Sequence, residues 1–218
     1  KSIIEEKHKE ITDSINYAER IQRSFLATKE LLDENLSSPR GGAEGGGGYF
    51  VFFKPKDVVS GDFYWFEKVE DKVVFAAVDC TGHGVPGAFM SLIGHNGLNQ
   101  AVKERGRSRP SEVLADLNKI AFDALHKDRE QYLVRDGMDM ALCSFDPERN
   151  VLEYAGANCP LYLVRGEQVL HFAPDKSAIG SFDLGGRVFT DHRIRLETGD
   201  MVYIFSDGYA DQFGGPKG

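Results

Sequence analysis

A chain of 218 residues, 41% hydrophobic and 28% charged, has the material for one soluble globular domain with an appendage and is too apolar to stay disordered. A formal charge of -8 has the wrong sign for sequence-independent binding to DNA, RNA or an anionic membrane, so no nucleic-acid partner is expected. Cys80, Cys143 and Cys159 have no Cys-x-x-Cys spacing and are odd in number; they indicate neither a zinc site nor a disulfide framework, and point to a reducing cytoplasm.

No run reaches membrane-spanning length and no signal peptide opens the chain, so direct membrane insertion is not expected of this stretch. The first residue is Lys1, which reads as a piece of something longer. Ser2-Ile3-Ile4-Glu5 has capping-box spacing and opens a region free of glycine and proline to about Thr28. Ile4, Ile11, Ala18 and Phe25 recur every seven residues, with Ile15 between them, so residues 1–28 are expected to form an amphipathic connector helix. His8 and Gln22 at companion positions weaken a self-sufficient coiled coil, leaving pairing with a second chain or packing on its own domain open.

Residues 29–48 end in a glycine tract and are expected to act as a flexible linker, with the main domain spanning 49–218. Tyr49-Phe50-Val51-Phe52-Phe53 has the aromatic and β-branched content of a strand. Asp62 then follows Gly61 and precedes an aromatic run, at a strand boundary. Lys54 and Lys56 nearby are either solvated or placed to counter a phosphate; Asp57 is equally a turn residue.

Val73 to Val78 is a continuous apolar run, read as a buried strand, and it stops at Asp79. Cys80-Thr81-Gly82-His83-Gly84 makes a tight turn, and Val85-Pro86 opens a helix whose apolar residues run to Val102 and are expected to bury it on all sides. Gly82 to Gly87 also fits Gly-x-Gly-x-x-Gly, with Glu104 at the distance of a ribose ligand, which keeps a dinucleotide-binding oxidoreductase open. Against it, Asp79 would repel a pyrophosphate, and the later chain lacks the alternation of strand and helix such folds need. His95 reads as a core residue. A further amphipathic helix follows Pro110.

From residue 131 the pattern becomes short strands divided by turns: Met138–Phe145, Val151–Ala157, Leu161–Arg165, Gln168–Phe172, Arg187–Leu196 and Met201–Phe205. The last strand runs into Ser206-Asp207-Gly208. Asp62, Asp79 and Asp207 therefore each stand where an apolar strand meets a glycine. Carboxylates gathered this way either hold protons above their usual range or are neutralised by a hard cation. An oxygen donor set favours Mg²⁺ or Mn²⁺ over zinc, and two such ions can clamp a phosphoryl group and activate a water.

Val59-Ser60-Gly61-Asp62-Phe63-Tyr64-Trp65, the stretch Asp79 to Met90 and the stretch Phe205 to Phe213 resemble, in order and separation, the motifs of bacterial sporulation-stage-II-E-like serine phosphatases, a branch of the metal-dependent protein phosphatases. Gly156 to Tyr162, Asp191-His192 and Gly199-Asp200 also look familial. The resemblance implies an α+β fold: two antiparallel sheets packed face to face, helices on both outer faces, and a two-ion Mn²⁺ or Mg²⁺ site at one end between the sheets. By the same resemblance Asp79 would bridge the ions, the Cys80 carbonyl would bind one, Asp207 the other, and Asp62 would act directly or through water. A hydroxide held by the ions would attack phosphoserine or phosphothreonine, with His83 either the general acid or only a shaper of the turn.

The implied substrate is a phosphorylated regulator of the anti-sigma-factor-antagonist type, and the implied context is an upstream sensor, with a homodimer through the N-terminal helix. The family continues past its Ser-Asp-Gly motif to a final metal-ligand aspartate, whereas this sequence ends at Gly218, so one ion is expected to bind more weakly. A pseudo-phosphatase that binds phosphoprotein without turnover is the alternative.

Overall fold

The structure is a computed structural model that describes residues 2–36, 48–126, 136–180, 188–209 and 211. Helix α1 (Ile3–Phe25) begins with the predicted capping box: the Ser2 hydroxyl accepts the Glu5 N–H at 3.4 Å, and the Glu5 carboxylate accepts the Ser2 N–H at 3.2 Å. Its second half docks through Ile15, Ala18, Gln22 and Phe25. Its first half stands in solvent, with Ile4 80% and Ile11 61% exposed.

Residues 29–36, expected to open a flexible linker, instead form helix α2 (Lys29–Leu36). Leu32 has a place to fill, buried on Phe66 and Val73, and this burial outweighs a weak local pattern. Most of the glycine tract lies outside the described residues. Tyr49–Phe53 joins no ladder among the described residues; its aromatic content goes into ring packing, Phe53 edge-on to Tyr64 and Phe50 edge-on to Tyr203.

Two antiparallel sheets follow. The larger has the order β1 (Phe63–Val69), β2 (Lys72–Cys80), β3 (Met138–Asp146), β4 (Val151–Ala157), β7 (His192–Arg195). The smaller is β6 (Gln168–Phe172), β5 (Leu161–Arg165), β8 (Met201–Tyr203). Every named ladder is antiparallel, so among the described residues there is no β-α-β unit for a dinucleotide, and the Gly82–Gly87 pattern is not that fingerprint.

The period of two in each strand divides the molecule into layers. Val74, Ala76, Val78 and Cys80 of β2, with Met138, Met140 and Leu142 of β3, face helices α3 (Gly84–Asn99) and α4 (Pro110–Leu125). The alternate residues Ala141, Cys143, Leu152 and Tyr154 face Leu161 and Leu163 of the second sheet. Gly94 and Gly97 permit the helix layer: a Cβ on Gly94 would lie 2.6 Å from the Met138 Sδ, and one on Gly97 would collide with the Leu117 side chain. Helix α3 is not buried on all sides as expected. Val85, Phe89 and Leu92 form an exposed stripe, because α4, α1 and the sheet occupy only its other faces.

Candidate active site

The strand register lines the acidic residues up. Phe63 pairs with Val78, so Asp62 stands one step beyond, opposite Asp79; Asp79 in turn pairs directly with Asp139. Adjacent strands thus bring Asp62, Asp79 and Asp139 side by side at strand spacing of about 4.8 Å. The alternation that sends Val78 and Cys80 to the helices turns this row toward the inter-sheet layer. Asp207 joins it from the turn after β8, where its backbone N–H donates to the Asp79 carboxyl.

Like charges directly opposed in a sheet are destabilising, so this row is not a packing solution. Burial and then the charges of Asp62 and Asp207 push Asp79 from 3.8 up to about 7. Asp62 is also raised, chiefly by burial, although it accepts hydrogen bonds from the Ser206 hydroxyl at 2.8 Å and from the Cys80 N–H. Asp139 is raised by burial too, against a 2.8 Å bond from the Asn158 amide. Sequence reasoning missed Asp139: it is the second residue of β3, separated from Gly137 by Met138, and only the β2–β3 register places it next to Asp79.

The Cys80 thiol is buried among the helix-facing core and held well above its ordinary value by that burial, so a cation would meet only the Cys80 carbonyl. Among the described residues no group of three or more His, Cys, Asp and Glu side chains is placed to hold a metal ion. Such a donor set, carboxylates in pairs plus a carbonyl, leaves coordination positions to water, which suits Mg²⁺ or Mn²⁺ better than zinc. In donor type alone, oxygen atoms of carboxylates and a carbonyl, the row has the chemistry that hard divalent cations take.

Glycines let the surrounding loops close up. A Cβ on Gly61 would sit 2.5 Å from the Gly82 carbonyl oxygen, and one on Gly87 would sit 2.6 Å from the same atom. Since those neighbours are backbone, Gly61→Ala is expected to cost about 1–3 kcal/mol of overpacking. Thermal unfolding should fall by roughly 2–4 °C per kcal/mol; an unchanged melting temperature would show that the loops are not in contact.

Gln22, read from the sequence as a flaw in the heptad pattern, is buried in this region. Its amide oxygen accepts the Ser60 N–H at 2.9 Å, and its amide nitrogen donates to the Ser60 carbonyl at 2.6 Å and to the buried Ser91 hydroxyl at 2.9 Å. Helix α1 is thereby tied to the segment that carries Asp62. His83 turns its Nδ1 to Asp57 Oδ2 at 2.7 Å. Lys54 and Lys56 are exposed on the same loop and, among the described residues, make no ion pair. His95 is a half-buried packing residue as expected, its ring 4.6 Å from that of Phe25.

The sequence profile of the family Stage II sporulation protein E (SpoIIE) matches residues 69–218. The chain belongs to the SpoIIE family. Phosphoserine phosphatase RsbU of Bacillus subtilis (strain 168) is 27% identical to this SpoIIE-family chain over 207 residues, 93% of the chain and 55% of that protein. The chain thus spans about half the length of this curated relative. The SiaA-PP2C domain of Pseudomonas aeruginosa superposes with a TM-score of 0.80 at 31% identity, covering 96% of this chain and 76% of that one. The PP2C phosphatase domain of SpoIIE from Bacillus subtilis shares the fold, at 22% identity and a TM-score of 0.55 over 69% of this chain and 41% of that one. Among the described residues no helix is long and apolar enough to cross a membrane.

Proposed function

We propose that this SpoIIE-family chain is a protein serine/threonine phosphatase dependent on Mg²⁺ or Mn²⁺. The observation that carries the reading is the row Asp62, Asp79 and Asp139 with Asp207 beside it, whose crowding raises the Asp79 carboxyl and would be relieved by divalent cations. Asp79, at the centre, would hold both of two ions; Asp207, Asp62 and the Cys80 carbonyl would complete their protein ligands, with Asp139 at the margin. Such ions supply an activated water near neutral pH and neutralise phosphoryl oxygens.

The chain's own groups position the ester and manage the proton of the leaving serine or threonine oxygen. Lys54 and Lys56 are assigned to meet the charge of the incoming phosphopeptide. By the family resemblance of its motifs, the substrate is a phosphorylated regulatory protein of the anti-sigma-factor-antagonist type, and α1 is the connector to an upstream sensor, pairing between protomers. A cytoplasmic location accords with the free, buried cysteines.

Phosphate release from a phosphoserine peptide should require Mn²⁺ or Mg²⁺, stop with a chelator and return with added metal. Metal at 100 times its dissociation constant should also stabilise the fold by about 2.7 kcal/mol, a rise of roughly 5–10 °C in melting temperature. A melting shift without turnover would select the phosphoprotein-binding alternative. Neither effect would end the metal-site reading.

A further inference from the structure

We propose that Asp57 is a positioning residue for His83, holding its ring so that Nε2 faces the phosphoryl site and delivers the leaving-group proton; this rests on the phosphatase reading above. The two residues come from different loops. Asp57 precedes the Ser60–Asp62 segment, and His83 follows Asp79 and Cys80, so their bond spans the strand ends that carry the acidic row. An ionised carboxylate only accepts, and with Nδ1 2.7 Å from Asp57 Oδ2 the shared proton belongs to Nδ1. The remaining ring nitrogen, Nε2, is left for a ligand.

Two features argue against a purely structural pair. The pair is exposed, His83 to 69% and Asp57 to 41%, and exposed ion pairs contribute only about 0–1 kcal/mol. His83 is also the N-cap of α3, yet its side chain makes no capping bond, leaving first-turn amides that Ser, Thr, Asp or Asn would have satisfied. Gly84 has φ +62°, the left-handed conformation that favours glycine, in the turn that carries His83. A turn built this way aims an imidazole and gives up a cap to do so.

In the step proposed, a water oxygen forms the new bond to phosphorus as the bond from phosphorus to the serine oxygen breaks. The bonding pair goes to that serine oxygen, which takes the proton from Nε2 of the imidazolium. The attacking water loses one proton to solvent, and a solvent proton restores the ring. Asp57 keeps its charge throughout and stays bonded to Nδ1–H. An alkoxide leaving group needs this proton; a nitrophenolate does not.

The test compares a phosphoserine peptide with p-nitrophenyl phosphate, both with Mn²⁺, on the intact protein and its Asp57→Asn, His83→Ala and doubly substituted forms. His83→Ala should slow the peptide by about 10²–10⁴-fold and p-nitrophenyl phosphate far less. Asp57→Asn should slow the peptide at least about 10-fold in kcat with the same leaving-group bias, and should add nothing in the double variant. Equal slowing of both esters, or full additivity with His83→Ala, overturns the positioning role while leaving the phosphatase reading intact. Absence of metal-dependent turnover of either ester by the wild type overturns the phosphatase reading and this inference with it. Nitrogen NMR of the metal-free wild type should show the Nδ1–H form of His83, lost in Asp57→Asn; a ring protonated only at Nε2 overturns the pairing even if the variants fold poorly.

Discussion

Asp79→Asn is expected to abolish metal-dependent phosphate release while making the metal-free protein harder to melt. Asp79 stands between Asp62 and Asp139 in the row and receives the Asp207 N–H, so its loss removes the one carboxylate adjacent to all the others. Several kcal/mol of cation binding lost at the centre corresponds to about 10³-fold or more in rate. Asp62 is at the end of the row and is held by Ser206, so water can take the place of its oxygen, and Asp62→Asn should cost roughly 10–10²-fold. Comparable losses for the two variants would refute the central role.

The stability half of the expectation has a definite sign. The folded carboxyl of Asp79 lies near 7 against 3.8 for the free side chain, so between those values the metal-free fold binds more protons than the unfolded chain. Its contribution is therefore fully present below about pH 4 and is lost as pH rises toward 7. Asparagine has no proton to lose. The gain in melting temperature from Asp79→Asn should be largest at pH 7.5, shrink toward pH 4.5 and vanish when saturating Mn²⁺ stabilises the wild type. A gain independent of pH would assign it to packing instead.

Local signals carried the fold far. The β2 run ending at Asp79, the capped start of α1 and the turn chemistry between β3 and β8 each report a short-range preference, and each appears as an element. Elements whose existence depends on distant partners were not legible. Helix α2 needs Phe66 and Val73 beneath Leu32, and Tyr49–Phe53 needs a strand partner that, among the described residues, it does not meet. The site divides the same way. Asp62, Asp79 and Asp207 were marked by glycines that the chain's reversals demand, but Asp139 is defined only by cross-strand register, and Asp57 only by the reach of its carboxylate past Gly84. For Gln22 the sequence leaves own-domain packing and pairing open, and the structure shows the own-domain contact: a buried amide with every partner supplied can fix one docking geometry, which periodicity does not register.

Gln22→Leu should consequently weaken the metal site without unfolding the domain. Leucine keeps most of the volume but leaves the Ser60 N–H and carbonyl without their partner, each unmet group costing about 1–3 kcal/mol, while the Ser91 hydroxyl keeps its bond to the Ala88 carbonyl. The segment can recover those bonds by shifting toward water, and Asp62 is two residues away on it. If about 1.4 kcal/mol of that cost reaches the cation, the Mn²⁺ concentration for half-maximal rate rises tenfold, with the rate at saturating Mn²⁺ largely restored. Under the proposed pairing of protomers α1 would act as a lever: its docked half holds Ser60, while Ile3, Ile4 and Ile11 are exposed on its other half. Burying such a stripe yields about 25 cal/mol per Å², enough to bias how the docked half sits. Ile4→Asp with Ile11→Asp, both on the exposed half, should therefore lower the mass in solution from dimer to monomer and raise the Mn²⁺ requirement in parallel with Gln22→Leu. A protein that is monomeric before and after substitution, with an unchanged Mn²⁺ requirement, would leave α1 as a helix packed on its own domain.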